Sequence, residues 1–162
     1  MDNKEKILKY LEQNAKYTSK NIADALSLDE KDVKKIIADC EADGTILGYN
    51  ALINWDKTRR DRVVALIEVS VQPEKGEGFD QIAANICAFS EVESVYLMSG
   101  GFDLTVILSA KSMKDVARFV FDKLALIDGV KGTATHFVLN KYKDKGIVFD
   151  SSEEDPREML EI

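Results

Sequence analysis

Histidine occurs once in these 162 residues and cysteine twice. One imidazole and two thiols, Cys40 and Cys87, with neither CxxC nor Cys/His spacing, do not supply a zinc site, so no metal is expected. Both cysteines fall inside apolar helical patterns and read as small core residues in a reducing cytoplasm. No apolar run approaches the roughly 18–20 residues that span a bilayer, and the N-terminal MDNKEKILKY has no signal-peptide core, so no membrane partner is expected. Also missing are a nucleophile–base pairing, a phosphate-cradling glycine loop and a metal-ligand cluster. There is therefore no catalytic residue to name and no cofactor to expect, and the chain does not read as an enzyme.

What is present describes a globular chain: 45% hydrophobic residues, 31% charged residues and a net charge of −7. That charge is unevenly placed. Residues 150–162 (DSSEEDPREMLEI) hold six acids and one arginine, a local −5 that leaves −2 for the rest. The stretch Trp55–Arg62 (WDKTRRDR) is +2.

The first half has helical periodicity. Ile7, Leu8 and Leu11 share one stripe in residues 3–14. Thr18 is placed to cap a short helix carrying Ile22, Ala23 and Leu26, and "SLD" makes a tight turn into a helix capped by Asp29. Val33, Ile36, Ile37 and Cys40 follow at i, i+3, i+4 and i+7, and Asp43-Gly44 supplies a C′ glycine. "TILGYNALIN" then reads as a short extended segment. Three short helices with a tight turn before the last suit a helix-turn-helix, with a small helical bundle for protein contacts as the alternative.

The second half changes period. Val63–Val71 reads as a strand and Pro73 to Gly78 as a loop. Phe79, Ile82, Ala83, Ile86 and Phe89 form a helical stripe. Val92–Met98 and Phe102–Leu108 read as strands about a Gly100-Gly101 hairpin turn. Ser112 caps a helix that turns Met113, Val116, Ala117, Val120, Phe121 and Leu124 inward, and Thr133–Leu139 closes with a strand. The order βαββαβ is the ferredoxin-like arrangement, with helices on one face of an antiparallel sheet. Both sides of the strand Val63–Val71 are largely apolar, so the open face is expected to pair with a second copy.

This layout and its wording resemble the Lrp/AsnC (feast/famine) family of prokaryotic transcriptional regulators over roughly residues 2–145. The resemblance rests on "KILKYLEQNAKYTSKNIADALSL" and "DVKKIIADCEADGTILGY" in the first half, and on "VESVYLMSGGFDLTVIL" and "IDGVKGTATHFVLNKYK" in the second. It implies an α+β chain with a winged helix-turn-helix DNA-binding domain at 1–50, a hinge at 51–62, a ferredoxin-like effector-binding and oligomerisation domain at 63–145, and an acidic tail at 146–162. The implied function is a cytoplasmic, sequence-specific, DNA-binding transcriptional regulator that responds to an amino acid or related metabolite. The implied partners are double-stranded DNA, that small-molecule effector, and copies of the chain assembling as a homodimer and on to a tetramer or octamer. The alternative is an oligomeric small-molecule-binding module with weak or lost DNA binding.

The family's DNA helix is usually rich in arginine, and residues 26–49 contain none. From Asp29 to Glu41 three lysines face five carboxylates. At about 100° per residue, Lys31, Lys35, Ala38 and Ala42 lie opposite the apolar stripe, with Lys34 on one flank. Asp29, Glu30 and Asp32 sit in the first turn, where carboxylates favour a helix N-terminus. Lys31, Lys34, Lys35 and Ala38 are thus the expected DNA-binding positions, or else a solvated polar face. In "SGGFD", the amides of Gly100 and Gly101 could receive a carboxylate and Asp103 an ammonium, or the turn could be purely structural. By resemblance, Ser99, Gly100, Phe102, Asp103, Thr133 and Thr135 match the effector cleft, while Gly101 replaces a frequent acidic residue. Siroheme decarboxylases of similar fold look histidine-rich near their cleft, whereas the lone His136 reads as packing or surface. The basic hinge residues Lys57, Arg59, Arg60 and Arg62 read as a DNA aid or a solvated linker.

Overall fold

A computed structural model describes residues 2–72 and 78–149, and the chain divides into two compact units, Met1–Ile53 and Asn54–Ile162. In the first unit, α1 (Asn3–Gln13), α2 (Ser19–Leu26) and α3 (Glu30–Ala42) begin and end where the local chemistry asks. The Thr18 hydroxyl accepts the Asn21 N–H at 3.1 Å, and the Asn21 side chain accepts the Thr18 N–H at 3.0 Å, a reciprocal capping box. Asp29 Oδ1 accepts the Lys31 N–H at 2.7 Å to start α3, and Gly44 leaves it at φ +75°. Ile7, Ile22, Ala23 and Val33 are buried, with Leu11, Leu26, Ile36 and Ile37 packed around them. Between α2 and α3 lie only Ser27, Leu28 and Asp29, which gives the tight turn of a helix-turn-helix.

Residues 45–54, expected to be extended, contain no strand, and Leu47 is 95% exposed. Their backbone finds no ladder partner within the unit.

The second unit places β1 (Val63–Val71), β2 (Val92–Leu97), β3 (Leu104–Ala110) and β4 (Val130–Phe137) in one antiparallel sheet of order β2-β3-β1-β4. Two helices, α4 (Phe79–Cys87) and α5 (Met113–Asp122), complete the expected βαββαβ order. Register fixes which side chains meet the helices. Ala65, Ile67 and Val69 stand opposite Leu108, Val106 and Leu104 on β3, and opposite Phe137, Thr135 and Thr133 on β4. All six β1 and β3 residues are buried, packed with Ile82 and Ile86 from α4 and Val116 and Phe119 from α5. The alternate set, including Leu66, Glu68, Ile107 and His136, belongs to the other face.

Several boundaries differ from expectation. The turn between β2 and β3 runs from Met98 to Asp103, closed by the Met98 N–H on the Asp103 carbonyl at 2.8 Å, so Phe102 and Asp103 lie in the loop. The closing strand starts at Val130 and ends at Phe137, two to three residues early. The inward stripe of α5 also shifts. Phe121 is 77% exposed and Met113 is exposed, while Phe119 is 5% exposed and meets Phe89 edge-to-face at 5.4 Å. Helical rotation explains this, because Phe121 lies about 140° from Val116 and Phe119 about 60°. Finally, β5 (Lys143–Asp144) and β6 (Ile147–Val148) form a small hairpin through Lys145 (φ 44°) and Gly146 (φ 81°). Residues 146–148, read as the start of the tail, are thus part of a paired element. Residues 150–162 and most of the Pro73–Gly78 loop lie outside the described residues.

Gly129 holds φ +88°, and a Cβ there would lie 2.7 Å from Ile82 Cδ1 and 3.4 Å from the Gln72 carbonyl. Gly129→Ala should therefore destabilise the second unit by about 1–2 kcal/mol, read as a lower urea midpoint with unchanged slope.

Candidate DNA and effector sites

The outward side of α3 is built as the sequence requires. Lys31, Lys34, Lys35 and Ala38 are all exposed, and the stripe behind them packs on α1 and α2. Lys34 is not free, since its Nζ sits 2.7 Å from Glu30 Oε1, one turn back. Among the described residues Lys31 and Lys35 pair with no carboxylate. The i, i+4 spacing of Glu30 and Lys34 gives Glu30 this pairing as well as its place in the first turn of the helix.

A clasp fixes the far end of the helix. Asp43 accepts the Thr45 N–H at 2.8 Å and the Lys4 ammonium at 3.1 Å, joining the start of α1 to the end of α3. The Thr45 hydroxyl, then the Thr45 N–H, then Lys4 hold the Asp43 carboxyl down to about 2. A carboxyl depressed below its unfolded value of 3.8 stabilises the fold above that pH and loses this stabilisation as pH falls through about 2. The melting-temperature advantage of the native chain over Asp43→Asn should thus be full at pH 6 and vanish near pH 2, a contrast that circular dichroism reads directly.

At the other candidate site Asp103 already has structural work. Its N–H donates to the Val69 carbonyl at 3.1 Å, and its Oδ2 accepts the Val71 N–H at 2.8 Å. The loop is thereby tied to the end of β1. Oδ1 accepts no hydrogen bond from the described residues, and neither Gly100 nor Gly101 donates its N–H to one. Gly100 takes φ +145°, a conformation side chains rarely adopt. Ser99, Gly100 and Gly101 are exposed, and Phe102 and Asp103 are half-buried.

Thr133 and Thr135, half-buried on β4, stand opposite Val69 and Ile67. They share the sheet end with the loop but lie across β1 from it. Two strand spacings put Thr133 about 10 Å from Leu104. The expected neighbours are therefore gathered at one end of the sheet, not side by side. His136 sits on the open face, its Nε2 3.2 Å from Glu68 Oε1 and away from this loop.

The match to known families follows the same division. Residues 2–46 match the winged helix-turn-helix DNA-binding model, and residues 64–148 match the Lrp/AsnC ligand binding domain. The chain belongs to the Lrp/AsnC family. Within it, the HTH-type transcriptional regulator YugG of Bacillus subtilis (strain 168) is 45% identical over 152 residues, covering 93% of this chain and 92% of the relative. The leucine-responsive regulatory protein of Haemophilus influenzae is 26% identical over 138 residues, covering 85% and 82%. Among solved Lrp/AsnC-like folds, E. coli AsnC superposes with a TM-score of 0.69 at 20% identity, covering 91% of this chain and 97% of that one. A Neisseria meningitidis transcriptional regulator in complex with L-Met superposes with a TM-score of 0.72 at 24% identity, covering 89% and 92%. The Lrp/AsnC chain is thus a transcriptional regulator with a DNA-binding unit and a ligand-binding unit. No described helix is long and apolar enough to cross a membrane.

Proposed function

We propose that this regulator binds duplex DNA through Lys31, Lys34, Lys35 and Ala38 of α3, and that a free amino acid at the β2–β3 loop tunes that binding. The carrying observation is the exposed lysine–alanine face on a helix whose start, end and rear are all fixed. Lysines hold phosphates as point charges, and alanine admits the helix into a major groove. A second reading, a ligand-binding assembly with weak DNA affinity, draws on the Lys34–Glu30 pair, which offsets one of the three charges. Sequencing of native genomic DNA recovered on the immobilised full chain separates the two. A reproducible site beside genes of amino-acid transport or metabolism supports the first, and recovery at background level supports the second.

The effector reading rests on two glycine amides and one carboxylate oxygen within the same short loop that have no hydrogen-bond partner among the described residues. An amino acid presents the opposite pair of charges at similar spacing. Because Ser99, Gly100 and Gly101 are exposed on a single chain, the pocket is completed by another copy. The open sheet face suits such an assembly, with Tyr96 exposed and Val64, Leu66 and Ile107 half-buried on it. Light scattering should report at least a dimer at micromolar concentration, and a stable monomer there would remove the assembly from the scheme.

A further inference from the structure

The stretch Trp55–Arg62, expected to be a hinge, is a folded element of the second unit. Trp55–Lys57 makes a 3₁₀ turn, with Asn54 Oδ1 accepting the Asp56 N–H at 3.1 Å. Thr58 donates its N–H and its hydroxyl to the Trp55 carbonyl at 2.9 and 2.7 Å, and Arg60 N–H donates back to the Thr58 hydroxyl at 3.3 Å. Arg62 anchors the end. Its guanidinium lies 2.5 Å from Glu93 Oε1, which also accepts the Ser109 hydroxyl at 2.5 Å. The guanidinium of Arg60 lies 5.1 Å from the Trp55 ring centre, and that of Arg62 at 5.5 Å.

This scaffold presents three cations. Lys57, Arg59 and Arg60 are exposed, and among the described residues none pairs with a carboxylate. Stacking on an indole restrains the guanidinium plane and leaves its N–H edge to bind a planar oxyanion. Guanidinium chemistry is what α3 lacks.

We infer that Lys57, Arg59 and Arg60 grip the phosphate backbone of duplex DNA just outside the segment held by α3, as a sequence-indifferent second contact. The inference rests on the proposed DNA binding by α3. Its other support is the tether. Eleven residues lie between Asp43, the C-cap of α3, and Trp55, so the loop stays within about 40 Å of the helix end at full chain extension. A duplex advances about 3.4 Å per base pair, so phosphates up to roughly a helical turn away are within that radius. Such a tethered contact acts at high effective concentration.

The test measures anisotropy of fluorescein-labelled random-sequence duplexes of 40 and 12 base pairs, bound by the full chain and by a Lys57→Gln/Arg59→Gln/Arg60→Gln variant. Arg62 and Trp55 stay, and the variants are compared at equal melting temperature. On the long duplex the variant should bind at least about tenfold more weakly, with a log K against log salt slope shallower by about 2–3 per chain. On the short duplex, which lacks flanking phosphates, the two proteins should bind alike. Equal affinity and slope on the long duplex overturn the inference. If they are equal and affinity rises only after deletion of residues 150–162, the acidic tail and not DNA occupies the loop, which also overturns it. A Lys31→Ala/Lys34→Ala/Lys35→Ala protein reads the α3 contact separately. Loss there with an unaffected glutamine variant sinks the second contact alone, whereas a native chain that binds neither duplex sinks both.

Discussion

Replacing Lys31, Lys34 and Lys35 together with alanine should weaken DNA binding by about a thousandfold at low salt, taking each charge-assisted phosphate contact as about 1.5 kcal/mol. The helix itself should persist. Alanine has the best helix propensity, the buried face is untouched, and the surface pair Lys34–Glu30 contributes only about 0.3–0.5 kcal/mol to folding. The salt slope should fall by about 0.9 for each phosphate contact removed, which distinguishes lost electrostatics from a misfolded unit. Of the single changes, Lys34→Ala should cost least, since Glu30 already holds that ammonium. Native-like affinity in the triple variant, measured by anisotropy on the recovered operator, would mean that α3 is not the DNA helix.

Asp103→Asn should weaken amino-acid binding by roughly ten- to a hundredfold, the effect of about 1.5–3 kcal/mol for a lost charged hydrogen bond. The structure makes this substitution informative. Asparagine keeps a side-chain oxygen for the Val71 N–H, so the clasp on β1 survives while the charge offered to an ammonium goes. Asp103→Ala removes both and should also loosen the loop. Calorimetry against the twenty amino acids is the direct measurement. Binding that Asp103→Asn leaves unchanged, or no heat from any of the twenty, would make the loop a structural turn only. A ligand that does bind must alter DNA affinity by the factor by which DNA alters its own.

Local features of this chain were legible because their causes lie within a few residues. Thr18, Asp29, Ser112 and Gly44 each cap or end a helix through neighbours at most four positions away. The buried stripe of α3 was equally plain. The inward stripe of α5 was legible only in part: Phe121 lies about 140° around the helix from Val116 and is exposed, whereas Phe119, at i+3, shares the buried face. The role of Asp103 was hidden, since its partner Val71 is 32 positions earlier in the chain. The β5–β6 hairpin escaped because two-residue strands carry too little alternation to register, and Lys145-Gly146 gives only a faint turn signal.

The place of β1 in the sheet has a consequence for synthesis. It is the first strand made, yet it occupies an interior position between β3 and β4, whose residues follow its own by 35 to 72 positions. The helical unit closes over short sequence separations and can fold as it emerges. An apolar β1 instead waits for Phe137, the last residue of β4. At about 5–20 residues per second, the 66 residues after Val71 take roughly 3–13 s. Both its edges are unpaired until β3 is complete at Ala110, and the β4 edge stays open for the whole interval, which exposes the strand to chaperones and to premature pairing with another copy.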